Sequence, residues 1–277
     1  MGKGSDPNCM MTSSAAGTLT LASAQAVQVA ERLIAQNPRL PEHRAARLAH
    51  DLDVAMSRPV LDNRHIVFLK IGGSFAYGLA HDDSDLDVRG AYLASTDEMF
   101  GLRAPAPQLE DKEHDLVVFE LGKFLHLAAQ KANPTIIETL YSQPLVTGPL
   151  GDVVLSARDA LLSQRVRSSY GGFAVSQLHK LKKIEPERRA KPTRHMFRVM
   201  EQGLHLVRTG EVKVVVDDVD RFMAYGDEPI EALEAQCRRF RDQIETVSSP
   251  LAADYDFDTV NDLLISVRRR ETAGQPS

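Results

Sequence analysis

In the stretch Gly72-Gly73-Ser74-Phe75-Ala76-Tyr77-Gly78-Leu79, a Gly-Gly-Ser turn leads out of an apolar run, and about ten residues later stands Asp85-Leu86-Asp87. A turn of this composition presents backbone N–H groups and a hydroxyl to phosphate oxygens, because glycine lets the backbone approach a ligand closely. Alternation along an extended chain puts Asp85 and Asp87 on one face, about 7 Å apart at the backbone, and turns Leu86 and Val88 to the other. Two carboxylates aimed at one point repel, and a cation between them relieves that cost. Donor sets made only of oxygen, beside a phosphate site, favour Mg2+. A third carboxylate would complete a two-metal site for in-line attack on phosphorus. The run Asp115-Leu116-Val117-Val118-Phe119-Glu120-Leu121 offers Asp115 and Glu120. Their odd separation sends them to opposite faces, so only one joins. The faces do not choose between them; Asp115, at the start of the run and nearer a cleft mouth, is preferred.

These groups need elements to hold them. His65 to Ile71 is a short β-rich apolar run closed by two glycines, and it reads as a buried strand with a tight turn. Ser74 to Leu79 follows as a short helix and His81 to Ser84 as a polar loop. Asp85 to Leu93 reads as a strand, Arg103 to Lys112 as a loop, and Asp115 to Leu121 as a third strand. Gly122 to Lys131 and Pro134 to Tyr141 read as helices, the second with proline in its first turn. Upstream, Ser23 to Gln36 and Glu42 to Met56 are predicted helices, the first with Val27, Val29, Leu33 and Ile34 as a partial apolar stripe. Beyond Gly148 to Gly151 the β signal fades into five predicted helices. The expected organisation is a disordered tail over 1–20, N-terminal helices over 21–60, an α/β catalytic domain over 61–150 and a helical domain over 151–277. The last residues, ETAGQPS, are expected to fray.

Composition bounds the rest. The chain has 277 residues, 43% hydrophobic and 26% charged, which suits an ordinary soluble globule. A net charge of −5 argues against a broad surface that coats nucleic acid, while leaving room for a local basic pocket. Cys9 and Cys237 are the two cysteines, too few for a disulfide framework, so a reducing, cytoplasmic setting is expected. No apolar run is long enough to span a bilayer, so no membrane partner is expected.

The segment GSFAYGLAHDDSDLDVRGAYL resembles the nucleotidyltransferase superfamily that includes DNA polymerase β. It is most similar to a bacterial and phage branch known as predicted nucleotidyltransferases, through Gly73, Ser74, Ala76, Tyr77, Gly78, Leu79, Ser84, Asp85, Asp87, Arg89 and Gly90. The resemblance extends from His65 to Val214, taking in Asp115, Lys123, Phe124, Asn133, Pro134 and Glu138, then Tyr170, Lys180, Lys191, His195, Arg198 and Gly210. It implies a polymerase β-like α/β (α+β) core with a mixed sheet and a C-terminal helical part. The implied chemistry is magnesium-dependent transfer of an NMP from an NTP, ATP being expected, to a hydroxyl acceptor, with release of pyrophosphate. Asp85, Asp87 and Asp115 would hold two metal ions, and Gly73 and Ser74 the phosphates. The acceptor is open among a protein hydroxyl, a tRNA 3′ end and a small molecule.

Lys191, Arg194, His195 and Arg198 step by three, one and three along one predicted helix and so share a face. Such a basic stripe is ordinarily solvated. Beside a triphosphate it would stabilise leaving pyrophosphate, Arg198 bidentately and Lys191 as a point charge. Lys191, His195 and Arg198 are therefore the nucleotide-binding candidates, although His195 also fits a buried, hydrogen-bonded role. Arg89 is expected to hold the aspartates, and Asn133 and Glu138 to cap and orient helices. The rival readings are a non-catalytic nucleotide-binding module on the same fold and an antitoxin-like partner protein.

Overall fold

The computed structural model describes residues 12–13, 19–20 and 23–274. Within the expected tail, β1 (Thr12–Ser13) and β2 (Leu19–Thr20) pair antiparallel; the rest of residues 1–20 lies outside the described residues. Two helices follow, α1 (Ser23–Gln36) and α2 (Arg44–Met56). Ala26, Val29, Ala30 and Leu33 recur at helical spacing and are buried, whereas Val27, expected in the stripe, is exposed.

Five strands form one mixed sheet: β3 (His65–Ile71), β4 (Val88–Leu93), β5 (Gln108–Asp111), β6 (Leu116–Glu120) and β7 (Pro144–Thr147). Their order is β5-β6-β4-β3-β7, with β4 and β6 parallel and the other neighbours antiparallel. The short strand β5, at one edge, falls where a loop was expected, and β7, at the other, in a stretch to which no element was assigned. The intervening helices are α3 (Gly73–Tyr77), α4 (Thr96–Phe100), α5 (Leu121–Leu125), which continues as one π-helical turn over His126–Gln130, and α6 (Pro134–Tyr141). The remainder is helical: α7 (Pro149–Ser156), α8 (Val166–Leu181), α9 (Ala190–Thr209), α10 (Val219–Ala224), α11 (Ile230–Thr246) and α12 (Phe257–Gly274).

Alternation on the strands separates two cores. Leu69, Ile71, Val88, Tyr92, Leu116 and Val118 face α1 and α2. Val67 and Phe68, consecutive across an irregularity in the β3–β4 register, face α5, α6, α7 and α12 with Ala91 and Leu93. The boundary expected at 150/151 is thus crossed by packing, because Val154 of α7 and Val267 of α12 return to the sheet. A third core joins α8, α9 and α11 around Tyr170, Met196, Leu206 and Phe240, and Ile137 of α6 reaches into it. Among the described residues no helix is long and apolar enough to cross a membrane.

Candidate active site

β3 delivers the chain to α3 through Gly72 and Gly73. Gly73 has φ +56°, and a Cβ there would collide with the Asp87 carboxylate. A Cβ at Gly72 would meet the Arg89 guanidinium. Gly73 is the position that demands glycine, by its left-handed φ and by the short Asp87 side chain, whereas the tip of Arg89 can swing away from Gly72. The Gly72 N–H donates to the Asp87 carbonyl at 2.8 Å, which ties the two segments together. Ser74, half-buried, is the second residue of α3.

The expected strand over Asp85–Leu93 begins at Val88, so Asp85 and Asp87 sit on its approach. The expected strand over Asp115–Leu121 likewise begins at Leu116, and Asp115 closes the preceding turn at φ +44°. An aspartate tolerates that left-handed geometry better than most residues. Backbone bonds nevertheless tie both residues to the neighbouring strands. The Asp87 carbonyl is spent on Gly72 and the Asp115 carbonyl on the Val88 N–H, at 3.1 Å. The parallel register pairs Val88 with Leu116, so Asp87 and Asp115 stand side by side one residue earlier. Burial raises the pKa of Asp87 above the usual aspartate value, and the Asp115 charge adds to the rise. Arg89, 3.1 Å away, and Lys191 oppose it. Asp85 and Asp115 are exposed. Glu120 is at the far end of β6, where it caps α5 by accepting from the Gly122 and Lys123 N–H groups at 2.7 and 3.3 Å and pairs with Arg268.

The donor set suits a hard divalent cation: it is all oxygen, and its most buried carboxylate is penalised by burial and by a like charge. The three aspartates nonetheless do not form a closed cluster. The one triad at chelating separation among the described residues is Asp111, Glu113 and His114, in the turn before Asp115, with Asp111 already bound by Arg58 at 2.7 Å.

The basic stripe expected on α9 diverges. Lys191 is exposed and within electrostatic reach of Asp87. Arg194 turns away, donating to the Ala190 carbonyl at 3.2 Å and contacting the Met223 sulfur. His195 stands edge-on to Phe173, and burial, reinforced by Arg198, pushes its pKa down to about 4. It is therefore neutral at pH 7 and donates at most one hydrogen bond from its ring. Arg198, expected at the nucleotide, is 4% exposed and committed elsewhere. It donates to Glu138 Oε2 at 2.5 Å and lies 3.5 Å over the Tyr77 ring. The Tyr77 hydroxyl donates to Glu138 Oε1 at 2.5 Å. This strut joins α3, α6 and α9; losing either charged partner would strand the other, at a cost of about 3–5 kcal/mol. The reason for the divergence is burial depth: a shared helix face runs from solvent at Lys191 into the core at Arg198.

Sequence reasoning missed the residues that brace the turn from behind. Asn37, fully buried, donates to the Leu33 and Phe75 carbonyls at 2.8 and 3.1 Å and accepts from the Ala80 N–H at 2.9 Å. Gln36 donates to the Ala76 carbonyl at 3.2 Å. Arg44, also buried, reaches the Ser84 carbonyl and Asp82, each at 3.3 Å.

Comparison with known families gives one match. The model of the RlaP family, described as RNA repair pathway DNA polymerase beta family, matches residues 44–233, more than half of the chain. No curated protein matches the chain.

Proposed function

The chain belongs to the RNA repair pathway DNA polymerase beta family, and from that premise we propose that it transfers a nucleoside monophosphate from an NTP, ATP being the expected donor, to a terminal hydroxyl of RNA. The family supports nucleotidyltransferase activity in general, and its description supports RNA as acceptor. The observation that carries the reading is the parallel β4–β6 register, which sets Asp87 beside Asp115 against the Gly73 turn.

In this reading Asp85, Asp87 and Asp115 hold Mg2+. When bound, Mg2+ neutralises triphosphate charge and favours the ionised acceptor oxygen. Gly73 and Ser74 receive the β and γ phosphates. Lys191 supplies a mobile positive charge to them, and neutral His195 a single hydrogen bond. Asp115, exposed at the turn, takes the proton from the attacking hydroxyl. The acceptor oxygen forms a bond to the α-phosphorus. The bond from that phosphorus to the bridging β-oxygen breaks, and pyrophosphate leaves with the electron pair. Arg198 acts through Tyr77 and Glu138 as a positioning residue.

The test is incubation of the purified full chain with α-labelled NTPs, Mg2+ and an RNA carrying a free 3′ hydroxyl. Label should enter the RNA and pyrophosphate should appear. Asp87→Asn should abolish both while leaving the melting temperature within a few degrees. Nucleotide binding without pyrophosphate release from any acceptor would sink the reading in favour of a binding module.

A further inference from the structure

The chain's net charge of −5 hides a strong local asymmetry. From Lys180 to Arg194 there are seven lysines and arginines against two glutamates, a local +5 that leaves −10 for the rest. This stretch runs from the last turn of α8 through the connection into the first turn of α9. Its shape is set by backbone: the Ile184 N–H donates to Leu181, Arg188 to Glu185 and Arg189 to Pro186, and the Arg189 side chain closes the turn on the Ile184 carbonyl at 2.7 Å. Lys182 pairs with Glu234. Lys180, Lys183, Arg188 and Lys191 are exposed, and none forms an ion pair among the described residues. The patch runs into the site, because Lys191 acts on Asp87 and Lys180, with Arg89, acts on His195.

The rim that carries Asp85 is acidic. Asp82, Asp83 and Asp85 are exposed on the loop before β4, and Glu113 on the turn before β6. A polyanion approaching over that rim meets like charge, while one approaching over the α8–α9 turn meets unpaired cations.

We propose that the α8–α9 turn is the track for the acceptor strand: Lys180, Lys183 and Arg188 hold successive backbone phosphates of single-stranded RNA whose terminal hydroxyl lies at the carboxylates. The proposal rests on the reading of an RNA acceptor, and goes beyond it by assigning the surface that binds the strand. Recognition is through phosphate and so independent of sequence. Lys191, at the inner end, serves the triphosphate and is left out of the test.

Fluorescence anisotropy of a labelled single-stranded oligoribonucleotide, titrated with the full chain from low to moderate salt, reads the contacts directly. Each phosphate contact to a single strand contributes about 0.7 to the slope of log affinity against log salt. The Lys180→Gln/Lys183→Gln/Arg188→Gln variant should therefore lose about 2 from that slope and bind roughly tenfold or more weakly at moderate salt. Its affinity for Mg-ATP should be unchanged. The same charge removed from other exposed positions, Arg32→Gln/Arg47→Gln/Arg208→Gln, should leave the slope as it is. No RNA binding by the unaltered chain, an unchanged slope in the turn variant, or an equal loss in the control would each overturn the proposal. Because binding is read without turnover, RNA held by the turn but never labelled would keep this proposal and sink the transferase reading. Transfer to RNA that is indifferent to the turn variant would do the reverse.

Discussion

The turns that carry the aspartates and the α8–α9 turn are built on opposite principles. The carboxylate side is held by backbone and buried amides: Gly72 on Asp87, Val88 on Asp115, Asn37 on Phe75 within α3 and on Ala80 just beyond it. The cation side is a short turn whose charges stand in solvent with few partners. The difference matches what the proposed reaction would ask of each. Groups that share a metal need fixed separations, and a sheet register supplies them. Groups that grip a flexible polyanion need only sign and reach, which long exposed side chains supply.

The largest expected effect is on the rigid side. Gly73→Ala places a side chain at positive φ and against Asp87. Misplacing the turn by about 1 Å should cost on the order of 100-fold in transfer. The left-handed conformation adds about 1–2 kcal/mol of destabilisation. An alanine variant with full activity would show that the turn is not fixed by Asp87.

A smaller effect tests the brace. Asn37→Ala strands the buried Ala80 N–H and two carbonyls, each costing about 1–3 kcal/mol if it finds no water. It should weaken Mg-ATP binding, measured by calorimetry, as well as lower the melting temperature. Leu33→Ala removes core from the same helix by about 2–5 kcal/mol without touching the turn. It should lower the melting temperature and leave ATP affinity alone. If both variants weaken ATP binding alike, α1 supports the fold rather than the site.

The smallest effect is a pH dependence on the helical side. His195 has a pKa of about 4 against an ordinary 6.5, so between those values the unfolded chain binds a proton that the folded chain does not. Stability therefore falls as pH drops through this window, by up to about 3 kcal/mol, and the loss is complete below about pH 4. His195→Asn should remove that part of the slope in urea titrations across pH 4 to 7. Burial of Asp87 acts with the opposite sign, since its raised pKa makes the folded state bind more protons than the unfolded one.

Much of the candidate site was legible in the chain itself. Gly73, Ser74, Asp85, Asp87 and Asp115 were visible as types at spacings, since β-rich runs, glycines and acids each carry a local signal. The sequence determined β3, the turn, most helix positions (α4 and α10 excepted) and the local excess of positive charge around the α8–α9 connection, because each depends on neighbours within one element. Strand ends were less legible: Asp85 and Asp87 read as part of a strand, and only the pairing of β4 with β6 shows where the ladder stops. Arg198 read as a phosphate ligand because periodicity reports a face but not its depth, and Glu138, sixty positions away, decides its role. Asn37 carried no signal, since its partners lie about forty residues downstream. Tertiary structure alone decided which carboxylate stands beside Asp87, what buries Arg198 and what braces the turn, because each is a contact between segments that local chemistry cannot align.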